Sequence, residues 1–439
     1  MRRLFPALTL LFALLGSAGA QEARSPDTLT RLAMEAKLKI GDLLREKGDL
    51  DGALKAYGEA IALYESMGAR GAEAPVEAPG ATADVGAAIR QGLAWLAAHQ
   101  DVAEDGKWDA DGFHRHDPAG EACDGPGGAL YDVGVTGLAL LAFLGSDHTD
   151  REEGAQNPYG INVRAGLRYL ISCQDDEGCF GGRAGQHFIY NHVCATLAMT
   201  EALARTRNPR YRAPAQHGVN FILLAQNPYL GWRYTPRSGE SDTSVTGLCI
   251  LALRAAEQAG LAVDKNAFLG ALAWVVKMSD PEHGQVGYHT RGGQSARPEG
   301  QMERFPAEKS EAMTASGILT RIHCGENPRA TPAIMKGVGR CLDRMPVWNR
   351  ESGEIDLYYW YFATHALFHT GGNEWNRWVP RAVTALLAGQ RSRAPGAAAF
   401  AGSWDPVDPW GPDGGRVYST ALAVLTLQIV DTRRAPAAR

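Results

Sequence analysis

From residue 87 onward the apolar positions recur in paired segments. One member of each pair carries basic residues on one face, as Arg164 and Arg168 do beside Gly166-Leu167. The other is apolar nearly all round, as in Val133-Gly134-Val135-Thr136-Gly137-Leu138-Ala139-Leu140-Leu141-Ala142-Phe143. A helix with one apolar stripe covers a core, whereas a helix apolar on every side lies within it. The first segments start near Gly92, Gly166, Gly218, Gly270, Gly337 and Ala382; the second centre on Gly137, Leu197, Gly247, Gly317, Ala363 and Ala421. An inner ring wrapped by an outer ring satisfies both patterns. The pattern therefore predicts an all-α fold, a closed α/α toroid of six helical hairpins and twelve helices over residues 87–430, with a disordered tail at 431–439.

Ahead of this region, Arg2 and Arg3 precede an apolar run from Leu4 to Leu15 and a small-residue stretch ending in Ala18-Gly19-Ala20. That order predicts a secretory signal over 1–20 and an exported protein, periplasmic or extracellular. The Arg pair with Phe5 also leaves twin-arginine export open. The run is too short to span a bilayer, and no other stretch reaches about 18 apolar residues, so the protein is not expected to cross a membrane. Residues 28–65 read as two short helices around Gly48-Asp49. Ile40, Gly41, Leu44, Ala53, Tyr57 and Ala60 stand at spacings that resemble one tetratricopeptide hairpin, while Lys37 and Glu65 replace that pattern's Trp and Pro. A single repeat cannot bury its apolar face alone, so it must pack on a second copy or on the next domain. Residues 66–86, rich in Ala, Gly, Glu and Pro, read as a linker.

Composition narrows the partners. Lys plus Arg of 44 against Asp plus Glu of 49 gives a net charge of −5, which leaves no basic surplus for a phosphate backbone and excludes nucleic acid as the expected partner. The 51 glycines among 439 residues exceed the usual ~7% without a G-x-y period, and so point to loops. The seven cysteines include no C-x-x-C spacing, which argues against zinc ribbons and thioredoxin chemistry. Cys194 and Cys249 fall in apolar helical patterns, whereas Cys123 and Cys179 lie in Gly-rich loops and form the expected disulfide.

The loops carry a motif. Gly166-Leu167-Arg168-Tyr169-Leu170, Gln174 and Gly178-Cys179-Phe180 resemble the Gln/Trp repeat of the squalene and hopene cyclases, with Phe in place of Trp. Further copies run Gly92, Trp95, Leu96, Gln100, Gly106, Trp108; Gly218, Phe221, Ile222, Gln226, Gly231, Trp232; and Ala382, Leu386, Gln390, Gly402, Trp404. Gln at an outer-helix end can bond orphan backbone groups, and the ring can plug the gap between hairpins. Over about residues 87–430 the chain thus resembles a secreted member of the squalene/hopene cyclase and prenyltransferase β-subunit superfamily.

This resemblance implies a toroid with a central cavity, and it tests which family chemistry survives. The cyclases open an inner helix with D-x-D-D-T-A-V, whose middle Asp protonates an alkene or epoxide. The matching Gly239-Glu240-Ser241-Asp242-Thr243-Ser244-Val245 keeps the last Asp and places Ser241 where the acid belongs. A hydroxyl cannot protonate an alkene, so Glu240 and Asp242 remain as candidate acids, while Ser241 and Asp242 also suit a helix N-cap. The prenyltransferases hold zinc with Asp-x-Cys and a distant His. Here no Cys has Asp two residues before it, the nearest approaches being Glu121-Ala122-Cys123, Glu177-Gly178-Cys179 and His192-Val193-Cys194. No zinc and no other cofactor is expected. His114 and His116, near Asp109 and Asp111, read as a solvated charge cluster. Cys324-Gly325-Glu326-Asn327 is similar to the Cys-Gly-Glu-Gln of complement thioester domains, but Asn is one methylene short and Gly325 with Pro328 already makes a helix stop.

The inner helices start at Tyr131-Asp132, Tyr190-Asn191-His192, Ser241-Asp242, Glu311, Asp356 to Tyr361 and Tyr418-Ser419. Six N-termini should meet at one rim, where their dipoles favour anions that these acidic residues partly supply. Tyr358, Tyr361, His365 and His369 recur at near-helical spacing, either as core or as a wall for an apolar or cationic ligand. The expected ligand-binding residues are Tyr131, Asp132, Tyr190, His192, Asp242, Glu311, Tyr358, Tyr361, His365 and Tyr418. Loops 101–130 and 279–310 should overhang the same rim, the second offering Arg291, Arg297, Glu299, Glu303, Arg304 and Lys309. The sequence thus predicts an exported toroid without the family's known catalytic groups that binds an apolar small molecule or a protein partner; the alternative is an isoprenoid cyclase or prenyl transferase with a rearranged site. A sugar-active toroid would need a carboxylate pair, and no spacing identifies one.

Overall fold

The computed structural model describes residues 37, 40, 59, 81–151, 154–394 and 397–434. The chain divides into two compact units between residues 78 and 79. In the first, Lys37 and Glu59 are helical and form an ion pair. Ile40 is helical too; the rest of the expected hairpin, the signal segment 1–20, most of the expected linker and residues 435–439 lie outside the described residues.

The second unit is an α/α toroid of twelve α-helices among the described residues. The outer helices are α1 (Ala81–Ala98), α3 (Gly160–Ser172), α5 (Arg212–Ala225), α7 (Asn266–Met278), α9 (Pro332–Asp343) and α11 (Gly372–Gly389). The inner helices are α2 (Asp132–Gly145), α4 (Phe188–Thr206), α6 (Thr243–Gln258), α8 (Ala312–His323), α10 (Leu357–Thr370) and α12 (Gly411–Arg434), the last kinked at Gly415. Each inner helix packs on the next, and α12 returns to α2 and α1, so the ring is closed. Helix α1 begins inside the expected linker because Val85 is already fully buried. No helix among the described residues is long and apolar enough to cross a membrane.

The loop motif explains how hairpins join. Gln100, Gln174, Gln226 and Gln390 each donate Nε2–H to a carbonyl of their own loop and to one on the following outer helix, namely Asn162, Pro214, Ala267 and Ala88. The amide therefore staples neighbouring hairpins, instead of capping its own helix. The aromatic partner plugs the gap as expected: Trp108, Trp232 and Trp404 are fully buried, worth at most about 4–6 kcal/mol each from ~150–250 Å² of apolar area. Each indole N–H donates to a carbonyl of the preceding outer helix, Leu96, Ile222 or Leu386.

The glycines used as markers lie within the outer helices, not at their starts, and the plug supplies the reason. A Cβ on Gly166 would stand 2.8 Å from the Trp108 ring, and one on Gly92 would stand 2.4 Å from Val424 and 3.2 Å from Trp404. Both positions leave room only for hydrogen. The backbone N–H of each Trp donates to a threonine on the inner helix, Thr136, Thr246 or Thr420. In the second hairpin His192 takes that duty.

Candidate functional site

The inner ring encloses a cavity of about 600 Å³. Its floor follows from helical periodicity, since residues three or four apart share one face. Val135, Leu138 and Leu141 of α2, Cys194 and Leu197 of α4, Leu248 and Leu251 of α6, Phe362 of α10 and Leu422 of α12 line it. Helix α8 contributes no lining residue; its side chains turn to neighbouring helices, as Ser316 does in donating to Thr243 O at 3.2 Å.

At the helix N-termini the lining becomes a collar of tyrosines. Tyr190 donates to Ser244 Oγ at 2.9 Å, and Ser244 meets the Tyr358 hydroxyl at 2.9 Å, joining α4, α6 and α10. Tyr234 and Tyr288 share a short hydroxyl contact, and His187 meets the Tyr234 ring edge-on at 4.3 Å. Trp410 also lines the cavity, and its indole N–H has no partner. Loop 279–310 supplies residues 288–290 and 294–299. Arg297 anchors it, paired with Asp356 at 3.2 Å where both side chains are only 2% exposed.

Five of the expected ligand residues reach this cavity: Tyr131, Tyr190, Tyr358, Tyr361 and Tyr418. The others are held elsewhere. Asp132 accepts from Lys107 Nζ at 2.8 Å and from Ala110 N at 2.9 Å, outside the lining. His192 accepts from Phe180 N at 3.1 Å and its other nitrogen faces Gly218 O at 3.1 Å, while complete burial drops it to about 3 and keeps it neutral. Glu311 is bound by Arg340 and Thr314, each at 2.6 Å. His365 lies among His323 and His369 beyond the lining. Asp242 caps α6 through Val245 N at 2.8 Å and lies behind Tyr288, whose hydroxyl stands 3.4 Å from it. Burial pushes this carboxyl up to about 7.

Glu240 is exposed and paired with Arg233 at 2.8 Å, away from the cavity. Of the loop charges, Arg297 and Glu299 line the cavity. Exposed Arg291 donates to Lys277 O, Lys309 donates to Ser352 O, Arg304 lies over Phe305, and Glu303 is exposed. No residue of loop 101–130 lines the cavity: its Phe113 turns against Trp95 and His99, and Gly125 O accepts from Arg416 N. The expected disulfide is also corrected. All seven cysteines are free, with Cys123 Sγ at 3.1 Å from Ala399 O and Cys179 Sγ at 3.6 Å from Gly182 O.

Lining residues that the sequence reading did not single out include His187, Tyr234, Tyr288, Trp410 and Asp413. Tyr234 and Tyr288 each stand two residues past the plug position held by Trp232 and Val286, and that register was the available signal. Asp413 is a half-buried carboxyl raised by burial, against the opposing pull of His187 and Tyr131. The family's zinc ligands do not fit this cavity: Cys194 is its single lining cysteine, and neither group of potential metal ligands among the described residues belongs to the lining.

No protein-family model matches the chain, and no curated protein matches it. Among solved structures, an inactive variant of an α-1,6-mannanase of the GH76 family from Salegentibacter sp. HEL1_6, in complex with α-1,6-mannotetrose, is 9% identical, covering 79% of this chain and 99% of its own with a TM-score of 0.51. A GH76 α-mannanase from Bacteroides thetaiotaomicron is 10% identical, covering 80% and 96% with a TM-score of 0.52. A type II terpene cyclase from Scytonema with its substrate geranylgeranyl dihydroxybenzoate aligns more loosely, at 14% identity over 80% and 99% with a TM-score of 0.47. The two mannanases share the α/α toroid with this chain; identity this low speaks to fold alone.

Proposed function

We propose that this chain is an exported ligand-binding toroid of the squalene/hopene cyclase and prenyltransferase superfamily, and that it holds one apolar, isoprenoid-class molecule in its central cavity. The observation that carries this reading is the leucine-lined floor beneath a tyrosine collar. A volume of about 600 Å³ lies within the range that takes one small-molecule ligand. The floor rewards an apolar chain, while the unpartnered Trp410 N–H and the collar hydroxyls can receive a polar end. Sugar hydroxyls would find no partners on the floor, which weighs against a mannanase-like substrate despite the shared fold.

Titration with geranylgeraniol, followed by tryptophan fluorescence, tests this. Saturation at one molecule per chain is expected, together with its loss in Leu248→Trp, which fills the floor. Saturation untouched by that filling would place the ligand elsewhere and overturn the proposal.

A second reading, an isoprenoid cyclase with a rearranged acid, is favoured by Asp242: a carboxyl raised to about 7 and in reach of the lining Tyr288 is about half protonated at neutral pH and largely protonated below it. Against it, Asp242 is fully buried behind that phenol, and a phenol raised still higher by burial is too weak an acid for an alkene. Turnover of a polyprenyl substrate that disappears in Asp242→Asn would support this reading, and absence of turnover in the unmodified protein would dismiss it.

A further inference from the structure

We propose a structural zinc site, separate from the cavity, built by His99, Asp117 and Cys123. Their ligand atoms lie within 4.8 Å of one another; the side chains of His99 and Asp117 are 4% and 2% exposed, and Cys123 is 7% exposed. None lines the cavity.

The hydrogen-bond arithmetic at His99 points to a cation. Its Nδ1 is 2.7 Å from Trp95 O, and its Nε2 is 3.0 Å from Asp117 Oδ1. Both neighbours are acceptors. A neutral imidazole has one N–H, so one of these contacts sets a lone pair against an oxygen. Protonating the ring would satisfy both, and so would a cation held between Nε2 and the carboxylate, for which the neighbouring Cys123 thiol offers a further ligand. With zinc bound, Nδ1–H donates to Trp95 O, and the Nε2 lone pair and Asp117 Oδ1 both turn to the metal. A metal-bound His whose other nitrogen is fixed by a carbonyl is the usual outer support of such sites.

Cys123 supplies the third ligand. Its Sγ lies 3.1 Å from Ala399 O, with its backbone N–H donated to Asp117 Oδ2 at 2.5 Å. Burial, with Asp117 beside it, pushes the thiol up to about 12, so binding must displace its proton to solvent as the metal–sulfur bond forms. A mixed N, O and S set with close spacing suits tetrahedral zinc, for which Zn–N is about 2.0 Å and Zn–S about 2.3 Å. Three protein ligands leave the fourth position of the tetrahedron open to solvent. The His99 ring stacks on Trp95 at 4.1 Å and Phe113 meets both edge-on, a shielded setting that fits a structural ion. The ion would fasten the long α1–α2 loop to the end of α1, beside the loop that precedes α12. Sequence spacing hid the group, because Asp117 is 18 residues from His99 and 6 from Cys123.

Chelator-treated full-length protein should take up one Zn²⁺ with release of a proton, measured calorimetrically in buffers of different ionisation enthalpy. Co²⁺ in its place should give a thiolate-to-cobalt charge-transfer band that disappears in Cys123→Ser and persists in Cys179→Ser. Asp117→Asn, whose carboxamide oxygen can still accept from Cys123 N–H, should weaken Zn²⁺ binding at least about tenfold while the metal-free melting temperature stays close to that of the parent; it keeps the test valid should Cys123→Ser fold poorly. No saturable Zn²⁺ uptake, or uptake and a band unchanged by both substitutions, would overturn the site.

Discussion

Gln390 donates to Ala88 O at 2.9 Å across 302 residues of chain, and to Gly402 O in its own loop at 3.0 Å. One side chain therefore fastens the last outer helix to the first. Gln390→Ala leaves two carbonyls without this donor, and a loss of about 1–3 kcal/mol is expected. Urea unfolding should show a lower midpoint with an unchanged slope, because the surface exposed on unfolding is the same. Gln390→Glu, which cannot donate, should do no better.

Arg297 and Asp356 hold the cavity loop by a buried ion pair. Removing one partner strands the other charge, so Arg297→Met should cost about 3–5 kcal/mol. Asp356 also caps α10 by accepting from Tyr359 N at 2.9 Å and receives Ser310 Oγ at 2.8 Å. In Asp356→Asn the single amide oxygen keeps the bond from Tyr359 N, while Ser310 Oγ, which donates to the second carboxylate oxygen, must turn to accept from the amide N–H. Thermal melts of both variants, with proteolysis of the 294–299 segment as a local readout, check this.

Asp242 links stability to pH. Its folded value of about 7 stands above the ordinary 3.8, so between those values the folded state binds the extra proton. The contribution is full below 3.8 and is lost as pH rises through about 7. His192 acts with the opposite slope. Its folded value of about 3 lies below the ordinary 6.5, so its contribution is full above 6.5 and is lost as pH falls toward 3. Asp242→Asn keeps the cap on α6. Its melting temperature relative to the parent should therefore rise between pH 5 and pH 8; a difference that stays constant would contradict the buried, protonated carboxyl.

The thiols should be slow to react. Burial raises Cys123, Cys179, Cys194 and Cys324 each to about 12, and the thiolate is the reactive form. Native protein should consume a thiol reagent slowly, and denatured protein should release seven equivalents without prior reduction. Non-reducing peptide maps joining Cys123 to Cys179 would contradict this.

The fold was legible because ring position and hydrophobicity are coupled: α2 has to be apolar on all sides, and α3 can carry Arg168 outward. The cavity was only half legible. Tyr190 and Tyr358 stand in the first turns of inner helices, where periodicity alone sets their direction. His192 has the same sequence context, but it turned outward to receive Phe180 N, replacing the threonine that Trp108, Trp232 and Trp404 use. Tyr234, Tyr288 and Trp410 come from loops, whose paths depend on distant anchors such as Arg297. The disulfide expectation failed for a related reason, since Gly-rich context says nothing about which carbonyl a thiol will meet.

The central cavity either holds an apolar molecule or it does not. The most direct measurement is a native mass spectrum of the purified protein beside its Leu248→Trp variant, under conditions gentle enough to retain bound molecules. We expect the parent to carry the excess mass of one lipid-like molecule that organic solvent extracts, and the variant to lack it. A parent that flies without lipid, and that geranylgeraniol cannot load, would contradict the account.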